Sequence, residues 1–365
     1  QNIKMKEEVR IWMDGAFDLM HYGHINAFRQ GRELGTYLIV GVNSDESIAQ
    51  CKGSAPILNH DERVAMVRSC KFVDQVIEQV PYIMDEHYVS YILNDLRIDF
   101  VVHGDDECLV NGQDVYKTAK QAQKFCTVPR TPGISTTDIL GRMLLIVHYQ
   151  LEKKKDKDTL NISHSMLNFI PPRFFLTSRL QCAFAQEKRL APKSNETVVY
   201  IAGAFDLFHP GHIELLKQAK RYGDYLLVGL FSDDSLVRLG RKPISNAHER
   251  LLNLLGCSLV DDVLLDAPID GLDEHAIDLF CIDFILSPPQ QHEEAIKLPQ
   301  DAYAIAKRRG LHQCLSFQST LSILDIAKRI YIQYDTLVLR YNEKRLKEGA
   351  YYAAATEREK KKEDN

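Results

Sequence analysis

Residues 14–24 read DGAFDLMHYGH, and residues 202–212 read AGAFDLFHPGH. Each copy closes a strand-like apolar run and opens a helix-like one. Each is followed at the same distance by a second matching segment, YLIVGVNSDES at 37–47 and YLLVGLFSDDS at 225–235. Self-similarity on this scale indicates a duplicated domain rather than a short-period solenoid. The repeated phrase carries two histidines spaced i, i+3 around a glycine. Later motifs of the first copy are missing from the second.

Working outward, VRIWMD (9–14) is apolar on both faces, as a buried parallel strand requires. Helical spacing follows at 22–34, and YLIVGV (37–42) reads as a second buried strand. Helices are expected at 61–70, 86–96, 113–124 and 135–151, and extended segments at 73–80, 98–103 and 126–131. Strands alternating with helices predict an α/β fold: two tandem Rossmann-like domains, each a parallel sheet with helices on both faces. The first unit spans 9–151 and the second 197–341, in the same order. Between them, 152–196 begins with a charged run, KKKDKD (153–158), read as a solvated helix end. It continues with an apolar stretch, 169–186, that predicts a helix packed across the two units. The end of the chain, 342–365, reads as a charged, fraying helical tail.

Net charge is −5, which disfavours a nucleic-acid partner, and the hydrophobic and charged shares of 45% and 26% are those of a soluble globular protein. No run reaches the roughly 18 apolar residues of a membrane span, and the tail's apolar face is too small for more than weak membrane-surface association. The eight cysteines show no metal spacing and sit mostly inside apolar runs. Buried free thiols are expected, and with a polar N-terminus and no signal peptide, a cytoplasmic location.

The chemistry concentrates in the first unit. The loop after the first strand carries Ala16, Phe17 and Asp18, then His21, Gly23 and His24. The two histidines share one face of a first helical turn, where free N–H groups favour anions. Gly23 between them is expected to let a phosphate approach the backbone. Two imidazole donors there suit a polyphosphate gaining charge in a transition state. Lys52 lies in a polar loop, and its weight comes from its company. That company is Asn59, Glu62 and Arg63, then His103, Gly104, Asp105 and Asp106 at a strand end. Last comes RTPGISTTDIL (130–140), in which Arg130, Thr131, Gly133, Ser135, Thr136 and Thr137 resemble a second anion cradle at a helix start. The alternative for the hydroxyls is ordinary helix capping.

GAFD-xx-HYGH, the lysine–glycine loop, N-xx-ER, the HGDD strand end and RTPGISTTD together resemble the cytidylyltransferases of phospholipid pathways, members of the HxGH nucleotidyltransferase superfamily. Within that group, tandem units joined by an apolar linker resemble the ethanolamine-phosphate cytidylyltransferases. Choline-phosphate enzymes instead have one catalytic unit followed by a long amphipathic helix. The resemblance implies an enzyme that couples CTP to phosphoethanolamine and releases pyrophosphate, with Mg²⁺ carried in on the nucleotide. It implies that His21 and His24 bind the triphosphate and stabilise the pentavalent α-phosphorus. Lys52 would contact phosphates, and Arg130, Thr131, Gly133, Ser135, Thr136 and Thr137 would close over those of the nucleotide. Ala16, Phe17, Asp18 and Gly23 would line the nucleotide site, with His103, Gly104 and Asp105 beside base and ribose. Asp18, Asp105 and Asp106 are the carboxylates proposed for a primary ammonium. Another phospho-alcohol such as phosphocholine is the alternative substrate, and a non-catalytic nucleotide-binding regulator is the alternative of a different class.

In the second copy, Ala204, Phe205, Asp206, His209, Gly211 and His212 survive, as do Asn246, Glu249 and Arg250. Leu239 stands where Lys52 does, and Ser287, Pro288, Pro289 and Gln290 replace the HGDD turn. Phe317 replaces Arg130, Thr320 replaces Gly133, and Ile323 and Leu324 replace two hydroxyls. The second unit reads as a degenerate domain that completes a pseudo-symmetric pair and retains a vestigial nucleotide loop.

Overall fold

In the computed structural model, which describes residues 8–106, 108–110, 112–155, 174–185, 191–298, 302–319 and 321–363, the first unit is built outward from the strand that precedes the repeated phrase. β1 (Arg10–Gly15) lies between two parallel neighbours. Ile11 and Trp12 are both fully buried, but in different apolar clusters on opposite faces of the sheet. That is why the strand shows no polar–apolar alternation. α1 (Tyr22–Glu33), β2 (Tyr37–Asn43), α2 (Asp45–Lys52), α3 (His60–Arg68), β3 (Gln75–Val80), α4 (Glu86–Asn94) and β4 (Phe100–Gly104) follow. A short hairpin, β5 (Leu109–Val110) and β6 (Gln113–Asp114), precedes α5 (Lys117–Gln121), β7 (Phe125–Val128) and α6 (Thr136–Lys155). The strand order is β3-β2-β1-β4-β7, all parallel. The order reverses between β1 and β4, and their carboxyl ends, Gly15 and Gly104, open onto the crevice where such sheets bind ligands.

Two expectations change. Lys52 is not in a loop: it is the last residue of α2, whose ends were marked by Ser44 as N-cap and left-handed Gly53 as C-cap. The helix expected over 113–124 shrinks to Lys117–Gln121, because Gln113 and Asp114 pair with Val110 and Leu109 across a turn at Gly112 (φ 76°).

Of the linker, 156–173 and 186–190 lie outside the described residues, including part of the charged run and the start of the apolar stretch. α7 (Phe174–Ala185) bridges the units, packing on the Ala247–Gly256 helix of the second: Phe184 is fully buried, meets Phe72 of the first unit edge to face and accepts a hydrogen bond from Lys71 at its carbonyl. The second unit repeats the architecture with β8 (Val198–Gly203), α8 (Pro210–Lys220), β9 (Tyr225–Leu230), α9 (Asp233–Arg238), α10 (Ala247–Gly256), β10 (Asp262–Leu265), α11 (Glu274–Leu279), β11 (Phe284–Ser287), α12 (Ala304–Arg308), β12 (His312–Cys314) and α13 (Ile323–Ile332). Its order, β10-β9-β8-β11-β12, is that of the first sheet.

α14 (Tyr334–Glu363) is one continuous helix, with no break where a separate tail was expected to begin at 342. One apolar cluster runs through both units. At their junction Cys70 and Cys257 form an antiparallel bridge, in which Lys71 N donates to Gly256 O (3.0 Å) and Ser258 N to Ser69 O (2.8 Å). All eight cysteines are free. Cys70 and Cys257 are buried, but Cys182, Cys281 and Cys314 are exposed, unlike the expectation of mostly buried thiols. No helix among the described residues is long and apolar enough to cross a membrane.

Candidate active site

His21 caps α1 by accepting Gly23 N–H at Nδ1 (3.1 Å), and His24 Nδ1 accepts His21 N–H (3.3 Å). A reciprocal capping box made of two imidazoles settles their tautomers. With Nδ1 accepting in each ring, the proton sits on Nε2. The rings lie 4.1 Å apart, and the buried Nε2 of His21 has no hydrogen-bond partner. Burial holds His21 well below its ordinary pKa, reinforced by His24 and Arg130; burial, with Lys344 and Lys52, brings His24 down to about 3. Both rings are therefore neutral N–H donors awaiting an acceptor. Gly23 serves them sterically, since a Cβ there would lie 2.8 Å from the His21 ring.

The loop before α1 is held from behind. Phe17 (φ 49°) and Leu19 (φ 47°) adopt left-handed backbone, a strain of about 1–3 kcal/mol each. Fully buried Arg63 fixes it by donating to Ala16 O (2.6 Å) and Asn43 O (2.8 Å). Asp18 accepts Ile57 N–H (2.8 Å) and Leu58 N–H (2.9 Å). Arg250 and Asp206 repeat these contacts on Ala204 O, Ile244 N and Ser245 N, with the same positive φ at Phe205 and Leu207. The motif residues common to both units are thus largely those that hold the loop. Asp18 borders the cavity, but its carboxylate is committed to backbone amides rather than free for an ammonium.

Two adjoining cavities of about 240 and 230 Å³ open at the ends of β1 and β4. The first brings together Ala16, Phe17, Asp18, His24, Lys52 and His103, with Tyr82 and Tyr116. Lys52 Nζ lies 5.0 Å from the Tyr82 ring centre, and burial, with Lys344 and Arg340 nearby, lowers its pKa to about 7. The second cavity gathers His21, Gly23, Gly104, Arg130, Thr131 and the hydroxyl run from Ser135 to Thr137. Gly133 (φ 85°) and Asp105 are not in either wall; Gly133 makes the turn into α6, and Asp105 accepts Arg130 N–H (3.2 Å). Thr131 accepts Asn26 Nδ2–H (2.9 Å), and Ser135 both caps α6 toward Asp138 N (3.1 Å) and faces the cavity. Ser135 thus caps its helix and lines the cavity at once.

Sequence reasoning missed two groups. Asp14, inside the repeated phrase, lies in both cavity walls; its carboxylate accepts from Trp12 Nε1 (3.1 Å) and Tyr116 OH (3.3 Å). Burial raises its pKa to about 7, although those donors and Asn43 pull it down. Arg340, Lys344 and Glu348 of α14 also enter the site. Arg340 donates to Ser54 Oγ (3.0 Å); Glu348 accepts from Thr137 Oγ1 (3.1 Å), Ser135 Oγ (3.3 Å) and Arg130 Nη2 (3.4 Å). Their i, i+4, i+8 spacing marked one helix face and was the available signal.

The corresponding place in the second unit is filled. Glu293 bonds His209 and, at 3.1 Å, His212; Glu294 accepts from His212 Nε2 (2.9 Å), Phe205 N–H (2.8 Å) and Ala204 N–H. Burial opposes a charged His212, but the two glutamates raise its pKa to about 9. The vestigial loop of Ala204, Phe205, Asp206, His209, Gly211 and His212 is intact in shape, with side-chain carboxylates in its cradle.

The cytidylyltransferase-like family model matches residues 12–142 and again 200–317, one match per unit. An ethanolamine-phosphate cytidylyltransferase of Dictyostelium discoideum is 38% identical over 90% of this chain and 93% of its own length. One from Mus musculus is 35% identical over 96% and 93%. Choline-phosphate cytidylyltransferase A of Rattus norvegicus is 42% identical, but over only 37% of this chain and 36% of its own. Likeness within one unit therefore does not separate the two groups; likeness through both units and the linker does, and by that measure the chain belongs to the ethanolamine-phosphate cytidylyltransferases.

Proposed function

We infer that the first unit transfers the cytidylyl group of CTP to phosphoethanolamine, giving CDP-ethanolamine and pyrophosphate for phosphatidylethanolamine synthesis. The observation that carries this reading is the pair of Nε2–H donors on His21 and His24, tautomers set by the backbone, facing cavities rimmed by Lys52 and Arg130. A phosphate oxygen of phosphoethanolamine attacks the α-phosphorus in line, and the bond to the pyrophosphate oxygen breaks. The nucleophile is already anionic, so no side chain need be one, and the protein's work is positioning and charge stabilisation. His21 and His24 donate to the α-phosphoryl oxygens as charge builds. Arg130, Ser135, Thr136 and Thr137 hold the nucleotide's phosphates, and Lys52 holds the attacking phosphate.

Asp14 takes the ammonium, whose positive charge would offset the burial that raises the pKa of this carboxyl. Tyr116 and Tyr82 enclose it. Asp106 and the cradle hydroxyls line the second cavity and would be the oxygen groups to meet a Mg²⁺ carried on the nucleotide, which would neutralise part of the phosphates' charge. The reading includes a cytoplasmic location, at most weak membrane-surface association and no nucleic-acid partner.

The test incubates the full chain with CTP, Mg²⁺ and either phosphoethanolamine or phosphocholine, following pyrophosphate release and the CDP-alcohol by mass spectrometry. CDP-ethanolamine is the expected product. Preference for phosphocholine would overturn the substrate, and no pyrophosphate with either would overturn the reaction.

A further inference from the structure

We propose that the first unit's active site is completed by the second unit: α14 supplies Arg340 and Lys344 as phosphate-binding cations, and its Glu348 competes with the nucleotide for the cradle of Arg130, Ser135 and Thr137. The proposal rests on the cytidylyl transfer inferred above and names three further residues for it.

α14 follows α13 of the second unit but lies against α6 of the first. A Cβ at Gly141 would sit 2.7 Å from the Tyr341 ring, so the glycine is what lets this helix come so close. The approach sends the face carrying Arg340, Lys344 and Glu348 into the cavities. Arg340 borders only the cavity of Lys52, Tyr82 and Tyr116, where phosphoethanolamine would sit. Lys344 borders both cavities, at the place where the two phosphates must meet. Glu348 reaches the nucleotide's cradle and accepts from Ser135, Thr137 and Arg130.

Charge supports this arrangement. Lys52, Arg340, Lys344 and Arg130 converge on two joined cavities, and among the carboxylates there Asp18 is committed to backbone amides. Burial and Arg340 depress the pKa of Lys344 despite Glu348 beside it. Converging half-buried cations of this kind are stabilised by a bound anionic ligand. Both units also show glutamates in an anion cradle, at different places: Glu348 on the hydroxyls and Arg130 of the first, Glu293 and Glu294 on the histidine pair of the second. In the second unit the carboxylates come from its own loop and close the cradle. In the first, the carboxylate comes from a helix of the other unit and bonds through one side chain that an incoming triphosphate can displace.

The roles separate kinetically. Lys344→Met removes charge where the reacting phosphates meet, so kcat should fall about 100-fold, the scale for one transition-state donor, and Lys344→Arg should recover most of it. Arg340→Gln should raise KM for phosphoethanolamine about tenfold, with a smaller effect on CTP, as for one charge-assisted hydrogen bond. Glu348→Gln should bind CTP several-fold more tightly by calorimetry. Exposed Lys347→Met on the same helix should change nothing. Melting temperatures near that of the parent chain establish that each variant is folded. Unchanged kcat in Lys344→Met together with unchanged CTP affinity in Glu348→Gln would overturn the proposal. If the parent chain makes no CDP-ethanolamine, the reaction inferred above fails instead, and CTP affinity in the same variants still decides the role of α14.

Discussion

Arg142 of α6 grips the carboxylate of Glu249 in α10 with both guanidinium nitrogens, Nη1 to Oε2 at 2.6 Å and Nη2 to Oε1 at 2.8 Å. The matching residues of the other unit make the reverse contact, Arg329 to Glu62. The interface is therefore isologous: the same patch of each copy meets its counterpart. Each glutamate is also the reciprocal residue of its own helix's capping box, on Asn59 or Asn246. One carboxylate thus ties helix start to interface. Glu249 is 4% exposed, so Arg142→Leu leaves a buried carboxylate and should cost about 3–5 kcal/mol. Arg329→Leu should cost less, because its side chain is 32% exposed. Chemical denaturation of the full chain checks both; equal small losses would mean the clasp does not lock the units.

As the proposed partner of the ammonium, Asp14 sets substrate recognition against stability. Burial raises its folded pKa to about 7, above the ordinary 3.8. A group shifted this way favours the fold when protonated, so its contribution is present below pH 4 and is lost as pH rises through 7. Asp14→Asn should therefore melt higher than the parent at pH 8, with the difference vanishing near pH 4. Its KM for phosphoethanolamine should rise about tenfold or more as a charged hydrogen bond is lost, while CTP affinity stays near that of the parent. A normal phosphoethanolamine KM would place the ammonium elsewhere.

Lys52 should announce phosphate binding by taking up a proton. Burial, with Lys344 and Arg340 nearby, lowers its pKa to about 7, so at pH 8 it is mostly neutral. An arriving phosphate raises that pKa. The calorimetric enthalpy of phosphoethanolamine binding at pH 8 should then depend on the buffer's ionisation enthalpy. The dependence should shrink below pH 6 and in Lys52→Met. Buffer-independent enthalpies at pH 8 would remove Lys52 from the phosphate contacts.

The two histidine pairs should respond oppositely to mutation. His24→Ala should lower turnover about two to three orders of magnitude, the loss expected for a transition-state donor. His212 is instead part of a buried ion pair, its pKa raised to about 9, above the ordinary 6.5. Its contribution to stability is complete below pH 6.5 and disappears as pH rises through 9. His212→Asn should remove that pH dependence of melting and leave turnover near normal in the folded protein. A comparable loss of turnover in both variants would assign chemistry to the second unit.

What the chain determined by itself is local. The repeated phrase placed the loop, the imidazole capping box and the doubled parallel sheet, because strand burial and helix capping depend on neighbours a few residues away. α2 was missed in the same local terms: eight residues with a polar outer face looked like a loop, although Ser44 and Gly53 marked its ends. Asp14 was in plain view, yet only its partners, the Trp12 and Tyr116 side chains rather than backbone amides, distinguish it from Asp18.

Tertiary structure alone decided which anion fills each cradle and which unit provides it. Glu293 and Glu294 reach His209 and His212 because the chain after β11 folds back over its own sheet. Glu348 reaches Thr137 because two separately folding patterns dock through Arg142, Glu249, Glu62 and Arg329, aiming α14 at the other unit. Local sequence rules govern each element's conformation. The pairing of residues 211 positions apart is set by the packing of two whole units, which no periodicity records.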